Sequence, residues 1–220
     1  MEEPYHYRNK VISPYAQGRR LGDALRGKGG SDRGGRFGKD GRSERGAGSR
    51  QRKGGPRYEI LCGMYAAGTH RIVATDECLV ENEQAKRAIL TIRQLMPKFG
   101  IQPYNEDAGT GFLRHAVVRV GHTSGEVLVT LVTNGAEFPA SRAFCRELVK
   151  RCPFITTVVQ NVNTRQTNVI LGEREQRLYG PGFILDKLCG LSFRISSQSF
   201  YQVNAVQTEV LYNTAIDLAA

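Results

Sequence analysis

A stretch from Gly18 to Arg57 with 13 glycines and almost no apolar side chains divides this 220-residue chain and limits what the rest can build. Such a segment cannot bury enough surface to offset the entropy of ordering it, so it is expected to be disordered. Any core must then come from residues 1–17 and 58–220. The same stretch holds 10 Arg and 3 Lys against Asp23, Asp32, Asp40 and Glu44, a net of +9, whereas the whole chain carries +10. The remaining residues are therefore close to neutral. Basicity normally points to a nucleic-acid partner, and here it belongs to one segment. Pieces such as Arg33-Gly34-Gly35 and Arg45-Gly46 can grip RNA phosphates and stack on bases while staying flexible. A solvated linker has the same composition, and both readings stand.

Outside that segment the patterning alternates between strand and helix. Tyr5, Tyr7 and Val11 make the opening residues strand-like. Tyr58 to Val73 reads as a hairpin, YEILCGMY then HRIV, turning at Ala66 to Thr69. Asn82 to Met96 puts Ala85, Ile89, Ile92 and Met96 on one helical face, ended by Pro97. Gly109 and Gly111 in YNEDAGTGFLRH are read as a plain turn. Val117–Val120 and Val127–Thr133 are strands joined through Gly121 to Gly125. Pro139 opens a helix with Phe144, Leu148 and Cys152 on one face, and Pro153 closes it. Ile155–Gln160 and Asn168–Leu171 are expected to pair. Leu191, Phe193 and Ile195 alternate with Ser192, Arg194 and Ser196, the period of a half-buried strand. Asn204 caps a final helix over 205–220, with Val206, Val210, Leu211, Thr214 and Leu218 on one face. The order predicts an α+β fold, a mixed or antiparallel sheet with packed helices.

No run approaches the roughly 18 apolar residues that span a bilayer, and MEEPYHYRNK has no apolar core of a secretory signal. No membrane partner and a cytoplasmic location are expected. Cys62, Cys78, Cys145, Cys152 and Cys189 contain no CxxC pair, so they read as reduced thiols, most of them small buried residues. His6, His70, His115 and His122 show no metal spacing and read as surface or turn residues.

Phe200-Tyr201-Gln202-Val203-Asn204, between a strand and a helix, combines stacking surface, an amide that both donates and accepts, and a helix N-terminus. It can hold a base or a nucleoside, or it can be an ordinary capped helix with core aromatics. With the QTEVLY that follows, it resembles the SFYQVN segment of the RNA uracil-5-methyltransferases. This S-adenosylmethionine-dependent family methylates uridines in 23S ribosomal RNA and, in a relative, transfer RNA. The N-terminal PYHYRNK, the Asp76-Glu77-Cys78-Leu79-Val80 element, the GTGFLRH turn and the phrases TTVVQNVN, TNVILGE and LYG resemble the same family in order and spacing. The resemblance covers nearly the whole chain except the Gly/Arg segment, and it covers only the family's central domain.

That resemblance implies a class I methyltransferase using S-adenosylmethionine. Gln202 falls where a family glutamine contacts that cofactor, Phe200 where an aromatic lies against the RNA, and Arg8 where an arginine lies close to the RNA and the active site. A solvated strand face is the other reading of Arg8. Cys78 falls where many members place the fourth ligand of a [4Fe-4S] cluster. A cubane needs four thiolates, so the cluster would belong to a full-length parent and Cys78 would be an orphaned ligand or a plain thiol. In the family, a cysteine thiolate adds to carbon 6 of uracil, carbon 5 takes the methyl group, and a base then removes the carbon 5 proton. The nucleophile, the base and the Rossmann-like cofactor domain lie beyond the QVN helix there, so no catalytic residue is expected here and the cofactor domain is expected to be missing. The expected organisation is a first strand region over 1–17, the Gly/Arg insertion over 18–57, a central domain over 58–204 and a helix over 205–220 leading into the absent domain. The function expected is part of an enzyme making 5-methyluridine in 23S ribosomal RNA, truncated and inactive alone. The alternative is a non-catalytic RNA-binding module that relies on the Gly/Arg segment.

Overall fold

The computed structural model describes residues 4–20 and 58–219. The Gly/Arg-rich segment lies outside them over 21–57, but its expected start is corrected. The first strand, β1, runs Lys10–Arg20, so Gly18, Arg19 and Arg20 belong to it, with Arg20 opposite Tyr58 of β2 (Tyr58–Tyr65). A ladder is made by backbone groups, so a Gly/Arg composition does not prevent it.

Among the described residues the remaining strands and α-helices are β3 (Ile72–Ala74), α1 (Glu83–Leu95), β4 (Leu113–Val120), β5 (Val127–Thr133), α2 (Ser141–Arg151), β6 (Ile155–Val162), β7 (Arg174–Tyr179), β8 (Ile184–Leu188), β9 (Leu191–Ile195) and α3 (Ala205–Ala219). Seven strands form one sheet in the order β3-β2-β1-β4-β5-β6-β7, and β8 and β9 form a separate hairpin. Each neighbouring pair is antiparallel except β5–β6, which is parallel. A parallel pair needs a crossover, and α2 supplies it. The expected α+β class with a mixed, mainly antiparallel sheet is what the chain forms. No helix among the described residues is long and apolar enough to cross a membrane.

The helices take their places for local reasons. The Asn82 side chain accepts from the N–H groups of Gln84 (2.9 Å) and Ala85 (3.3 Å), which starts α1. Ala85, Ala88, Ile89, Ile92 and Leu95 then bury one stripe of it. That stripe, with Phe144 and Leu148 of α2, meets Val11, Tyr15, Cys62, Ala116, Val118, Val129 and Leu131 on one face of the sheet. The Tyr15 hydroxyl donates to the Ile89 carbonyl at 3.0 Å, and burial holds this phenol well above its usual pKa.

The opposite face is covered differently. Ile184 of β8 and Ile195 of β9 pack on Leu128 and Val159, with Tyr201 against them. Of the alternating set in β9 only Ile195 is buried, for Leu191 and Phe193 are 65% and 37% exposed. The expected pairing of Ile155–Gln160 with Asn168–Leu171 is also corrected, since the partners of β6 are β5 and β7. Side chains of β6 and the residue after it hold the 168–172 backbone as a loop. Asn163 Nδ2 donates to the carbonyls of Val169 (2.7 Å) and Ile170 (2.9 Å), and Asn161 Oδ1 accepts from Gly172 N–H at 2.7 Å.

Gly63 in β2 sits at φ +156°, and a Cβ there would stand 2.1 Å from the Val73 carbonyl oxygen across the ladder. Gly68, in the turn that follows, has φ +67° and open space around it. Gly63→Ala is expected to lower stability by about 2–3 kcal/mol, and Gly68→Ala by about 1 kcal/mol. Urea denaturation measures both, and equal losses would count against the close β2–β3 approach.

Candidate functional site

The segment from Ser196 to Asn204 is held to the sheet mainly through its backbone. Ser196 N–H donates to Ser199 Oγ (3.0 Å) and Ser199 N–H to the Ser196 carbonyl (3.3 Å), closing a turn. Arg119 of β4 reaches under that turn. Its Nη2 donates to the carbonyls of Ser197 (3.3 Å) and Ser199. On the far side Asn9 ties the segment to the first strand region. Asn9 Nδ2 donates to the Gln202 carbonyl (3.0 Å), Asn9 N–H to the Val203 carbonyl (2.9 Å), and the Asn9 carbonyl accepts from Val120 N–H (2.8 Å). Tyr201 is the anchoring side chain. Its ring joins Leu128, Val159, Ile184 and Ile195, and its hydroxyl donates to Asp186 Oδ2 at 3.2 Å. Burial first, and the Asp186 carboxylate second, raise the Tyr201 pKa, so it stays protonated. Asn204 caps α3 as expected, its Oδ1 accepting from Gln207 N–H at 3.1 Å.

Two side chains of the segment remain outward or unengaged. Phe200 is 86% exposed, which removes the reading of it as a core aromatic. The Gln202 carboxamide makes no hydrogen bond among the described residues, although its backbone carbonyl is taken by Asn9. Asn9 therefore brings the sequence neighbourhood of Arg8 to Gln202 across 193 positions. Arg8 itself is exposed, donates from Nε to the Lys10 carbonyl (3.2 Å), and pairs its backbone with Val80 and Asn82.

A cationic cluster completes the site. Lys10 of β1 lies opposite Arg119 of β4 in the ladder. Burial is the main cause lowering the Lys10 pKa, followed by the charges of Arg119 and Arg8. Burial lowers that of Arg119 as well, and its Nε is buried without a hydrogen-bond partner. Among the described residues no carboxylate forms an ion pair with Arg8, Lys10 or Arg119. Leaving a buried cation uncompensated is unfavourable, and an anionic ligand would relieve it. Sequence reading missed Arg119 and Asn9. The usable signal was a charged residue inside the otherwise apolar run HAVVRV.

Cys78 is partly buried in the loop before α1 and lines a cavity of about 800 Å³ with His6, Glu81 and Leu90. No group of three or more His, Cys, Asp or Glu side chains suited to a metal occurs among the described residues. The donors present do not fit an iron–sulfur cluster.

His115, expected at the surface, is instead 5% exposed within β4. Burial first and the Arg114 charge second lower its pKa from 6.5 to about 4. Above pH 6.5 both the folded and unfolded forms are neutral. As pH falls from 6.5 to 4 the unfolded chain takes up a proton that the folded one refuses, so stability is lost through that window. The loss attributable to His115 is about 3 kcal/mol. Urea denaturation at pH 7 and pH 4 should show a correspondingly smaller fall for His115→Gln than for the parent chain.

Comparison with known proteins places this geometry in context. No family model matches the chain. Over all 220 residues it is 36% identical to an uncharacterized RNA methyltransferase of Oceanobacillus iheyensis, covering 40% of that protein. Over 161 residues, 73% of this chain and 35% of the relative, it is 42% identical to one of Listeria monocytogenes. The chain thus spans about two fifths of the length of the curated relatives it matches. A solved structure, the tRNA (uracil-54, C5)-methyltransferase of Pyrococcus abyssi with S-adenosyl-L-homocysteine, aligns over 98% of this chain and 42% of its own with a TM-score of 0.66. At 21% identity that likeness establishes the fold.

Proposed function

We infer, from the premise that this chain belongs to the RNA methyltransferase family, that it is the RNA-gripping part of an enzyme that methylates carbon 5 of uracil. The observation that carries this reading is an exposed ring, Phe200, on a segment whose backbone is held by Arg119 and by Asn9, next to Arg8 and Lys10 in the chain, with no carboxylate paired to Arg8, Lys10 or Arg119 among the described residues. Phe200 stacks on an unpaired base and the cations hold the backbone phosphates beside it. The resemblance of the SFYQVN segment to the uracil-5 enzymes supports carbon 5 as the target, and the net charge of +9 on residues 18–57 supports a large RNA such as 23S ribosomal RNA. Such a substrate points to the cytoplasm.

Gln202 fits S-adenosylmethionine at one point. Its carboxamide has both N–H and C=O free of partners among the described residues and sits just before the N-terminus of α3. When bound, the cofactor supplies the methyl group. The chain's own contribution is to bind and orient. Burial pushes the thiols of Cys62 and Cys145 up, the latter to about 12, so neither is a nucleophile at neutral pH. Coverage of about two fifths of the relatives' length supports a reading in which the attacking cysteine and most of the cofactor site belong to regions this chain does not match.

The test is RNA binding by the full chain, measured by fluorescence anisotropy with a uridine-containing single-stranded oligonucleotide across a salt series. Phe200→Ala is expected to weaken binding by about 1–3 kcal/mol without lowering the melting temperature. Arg8→Ala is expected to reduce the slope of log affinity against log salt by about 0.7. Unchanged affinity in Phe200→Ala would overturn the reading.

A further inference from the structure

The sheet face that carries Lys10 and Arg119 holds a second recess, of about 910 Å³, to which the 196–204 segment contributes no lining residue. Its floor follows from register. Pro14 lies opposite His115 just as Lys10 lies opposite Arg119. Residues 10, 12 and 14 of β1 and 115, 117 and 119 of β4 share one face, because Val11, Tyr15, Ala116 and Val118 turn to the helices. Four residues along a strand span about 13 Å, so the recess and the cationic cluster are neighbours at a distance that one or two unstacked nucleotides cover.

The lining lacks the features of a phosphate site. The guanidinium of Arg114 is committed to Glu106 (2.8 Å) and to the carbonyls of Asn163 (3.0 Å) and Arg165 (2.7 Å). His70 is 2.8 Å from Asp107. With its charges paired internally, the wall offers no spare cation. What it offers is flat and amphipathic surface. The Tyr65 ring stands edge-on to His115, centroids 6.1 Å apart at 86°, and Ile12, Pro14, Met64 and Val169 add apolar wall. Met64 and Val169 are 49% and 56% exposed. The His115 ring makes no hydrogen bond among the described residues, and its Nδ1 is buried without a partner. A neutral imidazole has one donor and one acceptor nitrogen, and burial keeps this ring neutral. Nδ1 is the sealed nitrogen; Nε2, not sealed and without a hydrogen-bond partner among the described residues, is the one that a ligand in the recess can meet.

We propose that this recess takes one unpaired nucleobase of the RNA whose phosphates lie against Lys10 and Arg119, with the His115 ring hydrogen-bonding to the base edge and Tyr65 forming the aromatic wall. A nucleobase is the neutral, planar, edge-polar group that such a lining selects. The proposal rests on the RNA-binding reading above and adds a second base-recognition point to it.

The experiment uses the full chain with isotope-labelled histidine and two probes, adenosine and ribose 5-phosphate, together with the same oligonucleotide. Adenosine is expected to shift the His115 ring resonances while leaving those of His122 in place, and ribose 5-phosphate is expected to shift neither. Val169→Trp, at an exposed position that tolerates bulk, is expected to fill the mouth and lower oligonucleotide affinity at least fivefold. The proposal stands if both results are obtained, and it falls if either fails. Normal oligonucleotide binding that depends on Phe200, with a silent His115, would remove the recess and leave the proposed function intact. Loss of all Phe200 dependence, with His115 responding to adenosine and Val169→Trp weakening the complex, would do the reverse.

Discussion

Strands β4 and β5 are buried along their whole length on both faces, and this two-sided burial is what the rest of the molecule is arranged to satisfy. Strands of this kind need two covers. On one side α1 and α2 provide a regular cover, because helices present a continuous apolar stripe, and α1 is capped by Asn82 next to it in sequence. On the other side the cover is assembled from a small hairpin, the 196–204 segment and loops whose backbone is held by asparagine side chains. A cover made of pieces leaves gaps between them. Both the cationic site and the recess beside His115 are such gaps.

The energetic signature of the irregular side is unpaired polarity. Arg119 Nε and His115 Nδ1 are buried without partners on this face. On the helix side the Tyr15 hydroxyl finds the Ile89 carbonyl and Cys152 Sγ finds Thr91 Oγ1 at 3.3 Å. Native interiors rarely tolerate an unsatisfied polar atom. His115 and Arg119 stand four residues apart on β4, so on this face these unpaired atoms fall together along one strand.

Much of the helix side was legible from sequence because its signals are local. Asn82 before an i, i+3, i+4 pattern announces α1, and the run VLVTLVT announces a strand. The SFYQVN segment and Arg8 were legible through family resemblance, and Asn9 draws them together. The misses share another cause. His115 looks like a turn residue until the β1–β4 register places it under Tyr65. Asn168–Leu171 has strand-forming residues, yet Asn161 and Asn163 claim the backbone of the neighbouring loop before a ladder can. β7, REQRLY, has nearly every residue exposed and so carries no periodicity to read. In each case the deciding partner is distant in sequence or is a polar side chain acting on backbone, which hydrophobic periodicity does not register.

The terminal helix gives the site mechanical leverage. α3 is a rod about 22 Å long in which only Ala205 and Thr208 are buried. Beyond that first turn, Cys189 N–H donates to Glu209 Oε1 at 2.8 Å, and residues 210–219 are exposed. Its root continues directly from Val203, whose carbonyl Asn9 clasps. Torque applied to the exposed outer turns, where Leu211 and Leu218 stand in solvent, is delivered to the peptide that carries Gln202 and Phe200. Whatever seats the rod thereby sets the pitch of Phe200 and Gln202.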